Sequence, residues 1–128
     1  MGRKAEKTFG QMLKELRVEE ADIGLRAFAG LIDMKPSNLS NIERNKIPPP
    51  ASKKAIDRIC DALGLANNDS RRAKLFDLAA EAKNRIPADV AEAVKEYRGI
   101  AVLVRTVANR QLSEKKMREL AEYIKKFY

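Results

Sequence analysis

Ile23–Arg44, read as IGLRAFAGLIDMKPSNLSNIER, constrains the fold of this 128-residue chain more than any other stretch. Phe28, Ala29 and Ile32 share one side of a helix drawn at 3.6 residues per turn, and Leu39 and Ile42 share one side of a second. Ile23 closes the lead-in. Ala29 is small enough to let two helix backbones approach closely. Pro36 suits the first turn of a new helix, where its missing N–H costs nothing. Lys35, Ser37, Asn38, Ser40, Asn41 and Arg44 are left facing outward. The spacing predicts helices over about Leu25–Ile32 and Pro36–Arg44, joined by a tight turn at Asp33.

Two short helices, a tight turn and a polar outer face on the second form a helix-turn-helix layout, in which the second helix enters a DNA major groove. The segment resembles the lambda-repressor/Cro-like (XRE) helix-turn-helix proteins. In these a pattern L-[ST]-x-x-x-[LF]-A-x-x-[IL]-G-[IVM]-S-x-x-x-[LI]-S-x-[IL]-E-R-G recurs. Ile23-Gly24, Phe28-Ala29, Ile32, Met34, Leu39-Ser40 and Ile42-Glu43-Arg44 fall on it. The likeness runs from Thr8 to about Arg85, and IPPPAS (Ile47–Ser52) matches a common link to the fourth helix. Three positions depart from the pattern. Asp33 replaces the turn glycine, Lys35 the serine before the recognition helix, and Asn45 the glycine after Glu43-Arg44. Asp and Asn tolerate left-handed backbone better than most residues. Lys35 is a poor N-cap.

The resemblance implies an all-α protein, with a five-helix DNA-binding domain over 8–85 and double-stranded DNA as partner. Ser37, Asn38 and Asn41 are then the side chains expected to reach base edges. Asparagine offers a donor and an acceptor together, which suits adenine in the major groove. Arg26, Lys35, Ser40, Arg44 and Lys46 are the expected phosphate contacts. Arg26 stands in for a glutamine that the family often has at the start of helix 2, where this chain has Leu25. Glu43 is expected to be structural, pairing with a nearby Arg or lying along the exit of helix 3.

Charge agrees with a polyanion partner. The chain has 26 Lys and Arg against 18 Asp and Glu, a net +8, and an isoelectric point near 9.7. No apolar run approaches the roughly 20 residues needed to span a bilayer. The N-terminal MGRKAEKTFG has no apolar stretch after its charges, as a secretory signal would need. A cytoplasmic location is expected. Cys60, the one cysteine, lies among Ile56, Ile59 and Leu63 and reads as a small core residue. There is no histidine. His-based catalysis and the usual zinc sites are therefore excluded, and no phosphate-binding, nucleophile-elbow or dinucleotide motif appears. No enzymatic activity, metal or cofactor is expected.

In chain order, residues 1–7 read as a basic tail, either frayed or laid along DNA as an arm. Thr8-x-x-Gln11 is a capping box that starts helix 1. Phe9, Met12, Leu13 and Leu16 form its core stripe, with Lys14 and Arg17 off that stripe. It should end near Ala21. Three prolines make Ile47–Ala51 a stiff turn. Ser52 caps helix 4, Lys53–Leu63, which ends at Gly64. Asn68 or Asp69 caps helix 5, Ser70–Asn84, buried through Leu75, Leu78, Ala79 and Ala82, with Phe76 beside them.

Residues 86–128 read as a helical extension. The pattern predicts helices over Asp89–Tyr97, over Ile100–Ala108 (where β-branched content leaves a strand open), and after Ser113. The last carries Met117, Leu120, Ala121, Ile124 and Phe127 on one stripe. That is too much apolar surface for a solvated tail. It can stabilise the domain, form a homodimer, or hold a second protein. Dimerisation is favoured, because one recognition helix reads only a few base pairs. The expected function is a sequence-specific DNA-binding regulator, a dimeric repressor of its own or a nearby operon. The alternative is an antitoxin-like interaction module, since similar small proteins include antitoxins and regulators encoded beside metallopeptidases. Its C-terminal helices would then neutralise a toxin or protease. Non-specific nucleic-acid binding is disfavoured, because the few aromatics sit in core stripes and leave no stacking platform.

Overall fold

The computed structural model describes residues 7–83 and 85–128. All but Lys7 of the expected basic tail lies outside them. Eight α-helices occur among the described residues: α1 Phe9–Glu15, α2 Leu25–Leu31, α3 Pro36–Glu43, α4 Lys53–Ala62, α5 Ser70–Lys83, α6 Ala88–Glu96, α7 Arg98–Asn109 and α8 Glu114–Phe127. Residues up to Ala91 form one compact unit and Glu92–Tyr128 a second. None of these helices is long and apolar enough to cross a membrane.

Side-chain caps account for four of the eight helix starts. The Thr8 side chain accepts from the Gln11 N–H at 3.1 Å, and the Gln11 side chain accepts from the Thr8 N–H at 2.9 Å. That reciprocal pair satisfies two donors with no intrahelical partner. Ser52 accepts from the Ala55 N–H at 3.1 Å, and Ser113 from the Lys116 N–H at 3.1 Å. At α5 the capping role falls to Asp69, which accepts from the Arg71 N–H at 2.9 Å. Asp33 (φ 54°) and Asn45 (φ 62°) take left-handed backbone on either side of α3, where the pattern has glycine. Asp22 (φ 52°) and Gln111 (φ 53°) do the same, and nothing in the sequence singled them out. The segment that left a strand open is helical in α7.

The first unit is built around Phe28, Leu13, Leu39, Ile56, Ile59, Leu75 and Cys60, all almost fully buried. α1 packs on α3 and α5, α2 on α3, and α4 on α5. Burial pushes the Cys60 thiol up to about 11, so it stays neutral. Arg72 of α5 is buried and clamps α4. It donates to Asp61 and Asp57, both at 2.9 Å, and to the Leu65 carbonyl at 2.7 Å. Burial opposes the charge of Arg72, and its bonds to Asp61 and Asp57 outweigh that, raising its pKa.

The end of α1 departs from regular helix. Leu16–Glu20 forms a π-helical turn rather than a continuation of α1. The Ala21 N–H bonds the Leu16 carbonyl at 2.9 Å, five residues back. The wider turn carries one residue more than an α turn, which changes the faces of the residues in it. Arg17, expected off the core stripe, is buried instead, and Val18 is exposed.

Candidate nucleic-acid interface

α3 has two sides of different character. Leu39, Ile42 and Glu43 face the core and are buried. Ser37 and Asn38 in its first turn are exposed, and Ser40 and Asn41 are half-buried. The four cationic positions around it, Arg26 early in α2, Lys35 before α3, and Arg44 and Lys46 after it, are all exposed. All eight expected site residues thus belong to α2, α3 or the residues flanking α3.

Their local partners differ. Lys35 is the N-cap of α3 and makes no side-chain cap bond. Its carbonyl accepts from the Asn38 and Leu39 N–H groups at 3.0 and 3.1 Å. The first-turn N–H groups keep no side-chain acceptor from Lys35, and the positive end of the helix dipole lies there. Asn41 is more engaged than its neighbours. Its Oδ1 accepts from Arg44 Nη2 at 3.3 Å, and its carbonyl accepts from the Lys46 and Ile47 N–H groups at 2.8 and 3.3 Å. These bonds turn the chain sharply after α3. Arg44 is the C-cap of α3 rather than its last helical residue.

What holds α3 in place was mostly hidden in the sequence. Glu43 pairs with Arg17 through two bonds, Arg17 Nε to Oε2 at 2.7 Å and Nη2 to Oε1 at 2.9 Å. Arg17 Nη1 also donates to the Ile23 carbonyl at 2.9 Å. Both side chains are more than nine-tenths buried. The π turn brings Arg17 to a partner 26 residues away, and the fork of the guanidinium matches the carboxylate. The expected pairing of Glu43 with a nearby Arg is thus made by Arg17.

Gly10 is the second anchor. A Cβ there would lie 2.1 Å from the Ile42 carbonyl oxygen and 3.0 Å from both the Glu43 carbonyl and the Asn45 side-chain oxygen. Only glycine lets α1 come this close to the end of α3. A third tie is the Thr8 hydroxyl, which donates to Asn45 Oδ1 at 2.8 Å. The readable signal for Gly10 was a glycine inside an otherwise good helix, where it costs about 1 kcal/mol relative to alanine.

Ser37, Asn38, Ser40 and Asn41 offer hydroxyl and amide groups, and Arg26, Lys35, Arg44 and Lys46 are exposed cations on α2 and beside α3. Among the described residues, no three His, Cys, Asp or Glu side chains gather as metal ligands would.

No curated protein and no solved structure matches the chain. The family model for the helix-turn-helix domain matches residues 8–75. That span covers α1 to α4, the Arg17–Glu43 pair and the first turn of α5. The chain belongs to the helix-turn-helix domain family, of the XRE/lambda-repressor-like type.

Proposed function

We propose that this chain is a sequence-specific regulator of transcription that occupies an operator near its own gene and excludes polymerase. The observation that carries the reading is the outer edge of α3. Ser37 and Asn38 are exposed there, on a helix whose inner edge is locked. In this reading Ser37, Asn38 and Asn41 meet base edges. Arg26, Lys35, Ser40, Arg44 and Lys46 meet phosphates and set the register. The operator is two-fold, and two copies place their α3 helices about 34 Å apart in successive major grooves.

The test is binding of the purified protein to its own upstream DNA and to a scrambled duplex, at low and near-physiological salt. Preference for the upstream DNA should survive the salt, while affinity for both falls as counterions are released. Asn38→Ala should cost about 1–3 kcal/mol on the preferred site and loosen the base preference there. Equal, salt-labile binding to both duplexes would show that charge alone is acting and would overturn the reading.

A further inference from the structure

Asn45 stands where the helix-turn-helix pattern has glycine. Its φ of 62° is one that glycine adopts without strain and asparagine tolerates. Backbone geometry therefore gives no reason for a side chain at this position. The side chain is nevertheless held. Thr8 Oγ1 accepts from the Gln11 N–H at 3.1 Å, and its own proton goes to Asn45 Oδ1 at 2.8 Å. An amide whose oxygen is held inward carries its nitrogen on the other branch. The N–H groups of Asn45 Nδ2 have no acceptor among the described residues, and the residue is exposed.

The backbone around it is already committed. The N–H groups of Arg44, Asn45, Lys46 and Ile47 all donate within the chain, to the carbonyls of Ser40, Ile42 and Asn41. A phosphate lying beside residues 44–47 can therefore be met by side chains alone. Asn45 lines one groove with Arg44 and another with Lys46. Its amide stands between the two cations that the regulator reading gives to phosphates.

We propose that Asn45 is a further phosphate contact, a neutral donor aimed by Thr8. Thr8 is the positioning residue, because its hydroxyl fixes the amide oxygen inward and so turns Nδ2 outward. The proposal rests on the regulator reading for the presence of DNA beside α3. A phosphate contact is blind to sequence, however, and needs no operator. A neutral donor also has its own signature. It adds affinity without releasing a counterion, so its loss lowers binding by the same factor at every salt concentration. Loss of the Lys46 charge instead flattens the salt dependence, by about 0.9 in the log–log slope.

The experiment measures the affinity of the full chain and its variants for the upstream and scrambled duplexes across salt, beside thermal unfolding. Asn45→Gly keeps the left-handed turn and removes the donor. It should bind both duplexes about five- to tenfold more weakly, with an unchanged salt slope. Asn45→Asp keeps an oxygen for the Thr8 hydroxyl and turns a carboxylate toward phosphate. It should lose about 100-fold in affinity, with a thermal midpoint within about 3 °C of the native chain. Thr8→Ser keeps the hydroxyl and should bind as the native chain does. Thr8→Val frees the amide to rotate and should lose about threefold. If Asn45 only tied α3 to α1, Asn45→Asp would keep that tie and bind DNA as the native chain does. That result overturns the proposal, and so does an Asn45→Gly chain that binds within about twofold of the native one. A native chain that binds both duplexes equally, with Asn45→Gly weakened on both, keeps this contact and sinks the regulator reading. A clear operator preference with both Asn45 variants native-like does the reverse.

Discussion

Replacing Arg17 by methionine is expected to destabilise the first unit strongly. The change leaves the buried Glu43 carboxylate without either guanidinium donor. Removing one partner of a buried pair leaves an uncompensated buried charge and should cost about 3–5 kcal/mol. Glu43→Leu strands the guanidinium with the Ile23 carbonyl as its remaining acceptor and should cost a similar amount. Such losses are a large part of a total stability of about 5–15 kcal/mol. The double variant Arg17→Met/Glu43→Leu removes both charges and should be far closer to the native chain than the sum of the two. Urea unfolding followed by ellipticity reads all three, with the single variants losing about 2 M in midpoint at neutral pH. Strict additivity in the double variant, or an Arg17→Met chain as stable as the native one, would refute the reasoning.

The same unit supports two further predictions. Gly10→Ala should destabilise by about 2 kcal/mol or more in thermal unfolding, because its methyl would overlap backbone carbonyl oxygens that have no room to yield; a stabilised variant, as helix propensity alone predicts, would mean that α1 and α3 are not in close contact. Acid should unfold the chain through Asp69 and Asp57. The Arg71 side chain and N–H hold the Asp69 carboxyl down at about 2, and for Asp57 the bonds from Lys53 and Arg72 outweigh the opposing effect of burial. Their folded pKa values lie below the ordinary 3.8, so the stability they supply is complete above that pH and is lost as pH falls toward about 2. The Asp69→Asn chain should show a shallower fall in thermal midpoint between about pH 4 and 2, and an unchanged slope would count against this assignment.

How much was legible depended on how local the physics is. Thr8 with Gln11, Ser52 and Ser113 announced helix starts because a cap is made within three residues. Phe28, Leu39 and Ile59 announced the core because a helical period is a property of one segment. Asp33 and Asn45 could be read as left-handed because the family pattern has glycine there. Arg17 could not be placed, since an arginine is ordinarily a surface residue and its acceptor lies 26 positions away. The π turn that buries it has no strong local sequence mark. Arg72 was missed for the same reason, its carboxylates being on another helix. The outer residues of α3 were legible by type and position, but the bonds that occupy Asn41 became visible only with the turn after it.

The split character of α3 has a consequence for how such a chain can change over time. Its inner edge is committed to Gly10, Arg17 and the core, and a substitution there disturbs folding. Ser37 and Asn38 are exposed. New side chains at those two places can therefore be tried at little risk to the fold. With Ser37 and Asn38 meeting base edges as proposed, a duplicated copy would acquire a different DNA target one residue at a time while remaining folded at every step.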